Sequence, residues 1–161
     1  MSFLKSRLRR CCLVDVPLST ERSLTDECAK LLENGATSLL FRFSRSPQDP
    51  KQLKDLHSAF ELCREKGVYA FVQDDVMLTL SLGAHGIYFS KLPKNLPWAR
   101  QVLGSERFIG IQDGGLIPGT YEELIDFVDF RESRVRSVPC QIVSTPKLFR
   151  GALRLIPNRT P

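Results

Sequence analysis

Short apolar runs alternate with amphipathic stretches along most of this chain, and glycine stands at the joints between them. Two joints share one phrase, in which a helix-like stretch ends in Gly-Ala and an apolar run follows, over 33–41 and 81–89. A third joint, over 66–72, has the glycine without the alanine. Glycine just past a helix adopts the left-handed conformation that closes the last turn, and the apolar run after it is typical of a buried strand. The repetition predicts parallel βα units.

The apolar periodicities predict five strands, with a helix after each of the first four. The predicted strands cover residues 11–16, 37–43, 68–72, 86–89 and 107–111. The predicted helices cover 22–33, a stretch from Pro50 to a stop at Gly67, 76–82, and a segment through Trp98 that stops at Gly104. Asp49 precedes Pro50 and has the chemistry of a helix cap.

After the fifth strand the pattern weakens. Thr120 followed by Glu123 has the spacing of a capping box and predicts a helix through Phe127. Farther on, the sequence suggests only a sixth strand over 138–143 and a helix over 146–155. The predicted organisation is therefore a basic N-terminal extension (1–10), a βα-repeat domain (11–128) and a divergent, partly irregular C-terminal segment (129–161).

Five or six βα units with right-handed connections form either an open three-layer sheet or part of a closed eight-stranded barrel. An open dinucleotide-binding fold requires a glycine-rich turn after the first strand, and residues 15–18 contain no glycine. The sequence therefore predicts an α/β fold of the TIM-barrel type. With 161 residues, the chain falls short of the roughly 200 of a complete barrel, so we expect an incomplete one.

The balance of charges permits nucleic acid, an anionic surface or a phosphorylated small molecule as a partner. Net charge is +5, but the basic residues are scattered and no nucleic-acid-binding motif accompanies them, so we expect no nucleic acid partner. No apolar run approaches the roughly 18 residues of a membrane span, so no membrane partner is expected either. The five cysteines form no CxxC pair, which predicts reduced core thiols and a cytoplasmic protein.

Five segments between residues 11 and 112 occur in the order and at nearly the spacing of successive βα elements in a known protein family. They are Cys12-Leu13-Val14-Asp15, the run 32–42 from Leu32 to Arg42, the run 62–68 with 72–76 from Val72 to Val76, the run 82–88 from Leu82 to Tyr88, and Phe108-Ile109-Gly110-Ile111. They resemble successive βα elements of the thiamine phosphate synthase and TenI family. The resemblance implies a TIM-barrel fold and a role in thiamine biosynthesis, in which a pyrimidine pyrophosphate is coupled to a thiazole phosphate with Mg²⁺ on the pyrophosphate.

The resemblance also implies which residues bind pyrophosphate. Arg42 stands at the arginine of the family's Gln-x-Arg-x-Lys strand, although Leu40 and Ser44 replace the other two residues of that pattern. Gln73 corresponds to the family's asparagine after strand three, and Gln112 takes the place of a serine after strand five. Lys147 lies in a segment that is weakly similar to the family's Thr-x-Thr-Lys loop.

Two positions are implied as ligands of Mg²⁺. Asp74 matches the family's first metal-binding aspartate, and a carboxylate is the hard oxygen donor that Mg²⁺ prefers. Asn95 stands close to the second aspartate, two residues late. An amide in place of a carboxylate, with Lys91 and Lys94 nearby, weakens such a site.

Structural roles compete with these assignments. Arg42 at a strand end also suits a salt bridge, and the pair Asp74-Asp75 suits a helix cap. His85, at the start of strand four, is expected at the noncatalytic end of the sheet in a structural role. Trp98 and Phe127 are expected to pack.

Three functions remain open at the level of sequence. The first is a working or residual synthase that couples the two phosphorylated heterocycles. The second is a metal-independent protein like the thiazole tautomerases of the TenI branch, and the third is a noncatalytic remnant that acts as an accessory or regulatory subunit. The replacements at the family's second metal-binding position and in its Gln-x-Arg-x-Lys strand favour a degenerate member of the family over a competent synthase. A second copy or a partner chain is expected to complete the barrel.

Overall fold

The computed structural model describes residues 7–8, 11–16, 22–112, 119–129 and 153–155. Its sheet follows the order of the chain, and each of the first five strands pairs in parallel with the next, which makes six parallel strands. These strands are β1 (Cys11–Val16), β2 (Ser38–Phe43), β3 (Tyr69–Gln73), β4 (Gly86–Phe89), β5 (Phe108–Gln112) and β6 (Phe127–Asp129). A last strand, β7 (Leu153–Leu155), pairs with β6 in the antiparallel sense.

Helices join the parallel strands as the sequence predicts. They are α1 (Leu24–Glu33), α2 (Pro50–Glu65), α3 (Val76–Ser81) and α4 (Leu96–Leu103), followed by a 3₁₀ helix (Gly119–Leu124). The predicted cap of α2 is confirmed, since Asp49 accepts a hydrogen bond from the Lys51 amide ahead of Pro50 at the first helical position. The predicted glycine joints are confirmed as well, because Gly35 (φ 87°) and Gly83 (φ 63°) take the left-handed conformation.

The two faces of the sheet carry different apolar clusters. Side chains such as Phe41 and Val72 pack against α1 and α2, and a second group including Ile109 packs against α4. The opposite face is filled mainly by aromatic rings. These are Phe71, Tyr88, Phe108 and Phe127, with Leu8, Cys11 and Leu40 beside them. Leu8 is fully buried there although it lies in the segment predicted as an extension.

A missing side chain makes room for this aromatic cluster. A Cβ atom on Gly110 would lie 2.1 Å from Cζ of Phe127, far inside the contact distance of two carbons. Phe127 in turn contacts Phe71 edge-on, with ring centroids 5.8 Å apart, and stacks on Tyr88 at 6.4 Å. Glycine at position 110 thus allows a phenylalanine of the next strand to enter the cluster.

The predictions for the end of the chain need correction. The helix expected through Phe127 is a 3₁₀ helix that ends at Leu124, and Phe127 begins β6. The chain leaves the helical path because Asp126 pairs with β5, donating its amide to the Ile109 carbonyl and accepting the Ile109 amide on its carboxylate. The helix expected over 146–155 is wrong at its end, where 153–155 is a strand. The strand expected over 138–143 lies outside the described residues.

The architecture is the predicted α/β arrangement of the TIM-barrel type, incomplete in the described residues, where six parallel strands stand against the eight of a full barrel. The strands pair in parallel because each helix returns the chain to the same edge of the sheet. The expected core thiols are confirmed, since four cysteines (Cys11, Cys12, Cys28 and Cys63) are buried and reduced, while Cys140 lies outside the described part. Within that part, no helix combines the length and the apolar character needed to cross a membrane.

Candidate functional site

The carboxyl-terminal edge of the sheet gathers three of the predicted pyrophosphate ligands. Arg42 lies one residue before the end of β2, and Gln73 and Gln112 are the last residues of β3 and β5. Their side chains alternate with helix-facing neighbours, so all three lie on the face opposite the helices. The structure therefore brings these three residues to one rim, which we call the inner rim. Lys147 lies outside the described residues.

Arg42 is held by a carboxylate of the neighbouring strand. Asp15 of β1 is its register partner, and the two side chains form a bidentate ion pair, with Nε donating to Oδ1 at 2.5 Å and Nη2 to Oδ2 at 3.0 Å. Asp15 is buried and Arg42 is half-buried. The pair orients the guanidinium firmly but offsets its charge, so an anion at this rim would share Arg42 with Asp15.

Asp74 has an unusual backbone and a fixed side chain. Its φ of 61° makes it the one residue other than glycine with positive φ among the described residues. Its Oδ1 accepts the Ser90 amide at 2.8 Å, and its Oδ2 accepts the Ser90 hydroxyl at 2.6 Å and Nε2 of Gln73 at 3.3 Å. Left-handed backbone costs free energy in such a residue, and strain of this kind concentrates at functional sites.

The capping alternative belongs to the next residue. Asp75 caps α3 by accepting the Leu78 amide at 2.8 Å, whereas the carboxylate of Asp74 points to the loop after β4. Asp74 is therefore available at the surface for a ligand, with its oxygens directed by Ser90.

A cavity of about 450 Å³ adjoins Asp74 between the starts of α3 and α4. Asn95, the second predicted metal ligand, lines the same cavity, together with Lys91. Its apolar wall includes Met77 and Trp98, which are 61% and 44% exposed and are the two large hydrophobic side chains exposed in the described ranges. Trp98 is therefore not the packed residue that the sequence predicted.

This cavity offers few ligand atoms for a divalent cation. Across the described ranges, no cluster of three or more histidine, cysteine, aspartate or glutamate side chains is arranged to hold a metal. Asp74 supplies the carboxylate, and Asn95 caps α4 without a side-chain hydrogen bond, which leaves its amide oxygen available. Mg²⁺ is commonly held by one or two carboxylates together with substrate phosphates. The residues present fit a cation that arrives with a phosphorylated ligand.

Sequence reasoning missed three contributors to this edge. Asp15 carried a readable signal, because an acidic residue near the end of a buried strand must find a partner, and parallel register offers Arg42. Ser90 follows β4 directly but has no distinctive pattern around it. The exposure of Trp98 depends on how α4 sits against the sheet and leaves no mark in the local sequence.

Comparison with known proteins assigns this chain to a family. The family model described as thiamine monophosphate synthase (TMP-TENI) matches residues 11–113. Thiamine-phosphate synthase of Thioalkalivibrio sulfidiphilus is 34% identical over 97 residues, covering 60% of this chain and 45% of that protein. Thiamine-phosphate synthase of Nitrosococcus oceani is 25% identical over 99 residues, covering 62% and 45%. The chain thus spans about half the length of the curated relatives it matches.

A solved structure shares the fold. Thiamine phosphate pyrophosphorylase from Pyrococcus furiosus superposes with a TM-score of 0.62 and 21% sequence identity, covering 78% of this chain and 61% of that one. The similarity supports the barrel-type architecture at a level of identity that speaks only to fold. Since the family model spans well over half of the sequence, this chain belongs to the thiamine monophosphate synthase (TMP-TENI) family.

Proposed function

We propose that this protein acts in thiamine biosynthesis and binds a pyrophosphate-bearing precursor at the carboxyl-terminal edge of its sheet, with coupling to a thiazole phosphate slower than in the longer relatives it matches. The observation that carries the proposal is the placement of Arg42 at the end of β2 and of Asp74 directly after the adjacent parallel strand β3, at one edge of the sheet. Ligands of parallel α/β folds bind at this edge.

Arg42 supplies cationic support for the leaving phosphate. A guanidinium offers parallel N–H donors that match phosphate oxygens, and such support is needed as negative charge develops on departing pyrophosphate. In this protein Asp15 already occupies one side of the guanidinium. The shared arginine is the physical reason that we expect slow coupling, because its charge is partly neutralised before substrate arrives.

Asp74, with Asn95 beside it, would hold Mg²⁺ delivered by the pyrophosphate. The cation would neutralise phosphate charge when bound. The protein's own contribution is to keep the Asp74 carboxylate aimed at the ligand through the two hydrogen bonds from Ser90. With one carboxylate and the exposed Lys91 nearby, we expect metal affinity to depend strongly on the phosphate ligand.

Calorimetry with inorganic pyrophosphate, with and without Mg²⁺, tests the site directly on the full chain. Arg42→Gln should weaken binding about tenfold or more, because a charge-assisted hydrogen bond is lost. Asp15→Asn should act in the opposite direction and tighten binding, since it removes the competing charge but keeps an acceptor for Arg42. Arg45→Gln is the matched control, an exposed arginine three residues away, and should leave affinity unchanged.

The Asp74→Asn variant tests the contribution of Mg²⁺ to binding separately from that of the phosphate contacts. Asparagine tolerates positive φ, its one acceptor oxygen can keep the bond from the Ser90 amide, and its NH₂ group can donate to the Ser90 hydroxyl. The backbone should therefore be preserved while the Mg²⁺ dependence of binding disappears. Release of pyrophosphate from the pyrimidine substrate, with thiazole phosphate present, then measures coupling. Absence of pyrophosphate binding, or equal losses in Arg42→Gln and Arg45→Gln, would reject the proposed site.

The proposal extends to compartment and assembly. Reduced, buried cysteines are usual in the cytoplasm, which we take as the site of action. A second copy or a partner chain beside the sheet is also part of the proposal. Light scattering after size-exclusion chromatography checks it against the 18.2 kDa of a single chain.

A further inference from the structure

A second cavity lies at the amino-terminal edge of the sheet, opposite the edge described above. It has a volume of about 440 Å³ and opens between the starts of β3, β4 and β5. Tyr69, His85, Glu106 and Arg107 contribute polar groups to its lining, and Gly83 forms part of its wall. The proposed function uses none of these residues.

His85 presents a fixed hydrogen-bond donor at this cavity. Its Nδ1 accepts the Ala70 amide at 3.1 Å, so the proton of the neutral ring resides on Nε2. The ring stacks on Tyr69, with centroids 4.7 Å apart and planes at 22°. Within the described residues Nε2 has no hydrogen-bond partner. The imidazole is therefore anchored on one side and has one N–H available on the other.

Two guanidinium groups lie at this edge of the sheet. Arg107 lines the cavity, its Nη1 makes only a long bond of 3.4 Å to the Leu103 carbonyl, and its Nε has no partner in the described part of the chain. Arg64 lies next to Gly83 in the cavity wall, since its Nη2 is 2.9 Å from the position that a Cβ on Gly83 would occupy. The Nε of Arg107 is buried, so a ligand in the cavity would bind the terminal Nη1 and Nη2 groups of this guanidinium.

The charge balance at the cavity is positive. Arg7 adds a third guanidinium, 5.6 Å from the Tyr69 ring centroid. Two carboxylates oppose these cations, Glu61 in an ion pair with Arg64 and the exposed Glu106. The excess of positive charge also affects the imidazole, because burial and the nearby Arg64 and Arg7 lower the pKa of His85.

We propose that Arg64, His85 and Arg107 form a second binding site at the amino-terminal edge, which takes a phosphate group. Phosphate oxygens match the forked donors of arginine and the single N–H of a neutral histidine. Tyr69 is already covered by His85 and Arg7, so the site recognises the phosphate rather than an attached ring. Free phosphate and a phosphate monoester share this chemistry.

Histidine NMR signals test the site, since the chain contains two histidines and His57 is exposed on α2 as an internal control. Inorganic phosphate and phenyl phosphate, added at constant ionic strength, should shift the His85 ring signals to saturation and leave those of His57 in place. Tighter binding of phenyl phosphate would identify a monoester as ligand, and equal binding would show that the phosphate alone is recognised.

Variants then assign the contacts. Arg107→Gln and Arg64→Gln should each weaken phosphate binding about tenfold at His85, and the 49% exposure of Arg64 means that its variant should fold normally. Arg45→Gln and Arg42→Gln, at the other edge, should leave the His85 titration unchanged whether or not pyrophosphate binds there. No shift at His85, parallel shifts at His57, or unchanged binding in both arginine variants would overturn the site.

Discussion

Replacing Arg100 with methionine removes a buried cation that ties three parts of the fold together. The side chain is only 8% exposed. Its Nε and Nη2 donate to the Leu124 carbonyl, and its Nη1 donates to the carbonyls of Gly104 and Arg107 at 2.9 and 2.7 Å. Its Nη2 also donates to Asp126 at 2.7 Å. The residue thus joins the end of α4 to the 3₁₀ helix and to the start of β5.

The magnitude of the loss follows from burial. Asp126 is 4% exposed and would keep the bond from the Ile109 amide but lose the guanidinium. Removing one partner of a buried ion pair costs about 3–5 kcal/mol, because the other charge stays in a low-dielectric environment. For a protein of this size each kcal/mol lowers the melting temperature by about 2–4 °C, so we expect a decrease of roughly 6–20 °C.

Urea unfolding followed by circular dichroism measures the change in free energy, and a double-mutant cycle assigns its cause. Asp126→Asn removes the carboxylate charge but keeps an acceptor for the Ile109 amide, so Arg100→Met with Asp126→Asn should cost less than the two single changes added. Arg22→Met is the control, because Arg22 is 60% exposed and its pair with Glu27 contributes under about 1 kcal/mol. A loss below about 1 kcal/mol for Arg100→Met, or an additive cycle, would refute the reasoning.

Two further predictions concern a histidine and a glycine. The lowered pKa of His85 means that the unfolded chain takes up a proton first, so the free energy of unfolding should fall as pH drops below the ordinary value of 6.5. Urea titrations of the protein and of His85→Gln should diverge in that range, and parallel curves would contradict this. Gly110→Ala should cost about 1–3 kcal/mol, because its Cβ would collide with the Phe127 ring, while Gly119→Ala, with open space, should melt like the parent protein.

The strands and helices up to β5 could be predicted from the sequence because their signals are local. Apolar runs fix the strands, and residues such as Asp49 and Gly83 mark helix ends through their own backbone chemistry. The path after Leu124 could not be predicted in this way. Thr120 and Glu123 favour a helical turn, and the turn forms, but pairing of Asp126 with β5 and burial of Phe127 then redirect the chain.

The candidate site was predictable in its location and not in its electrostatics. Parallel strands place Arg42 and Gln73 at one edge whatever their partners are. The pairing of Arg42 with Asp15 depends on the register between β1 and β2, which spans 27 residues of sequence. The left-handed residue Asp74 likewise depends on contacts that are distant in sequence, since its amide donates to the Tyr88 carbonyl and its carboxylate accepts from Ser90.

The aromatic cluster on the face opposite the helices lies between the two edges of the sheet. Phe71, Tyr88 and Phe127 pack closely between the Arg42 edge and the His85 edge in the described residues, and Phe108 borders the cavity at the His85 edge. Substitutions in the loops at one edge can therefore accumulate without disturbing the other. A lineage could lose its ancestral chemistry at one end while keeping, or gaining, recognition at the far end on the same scaffold.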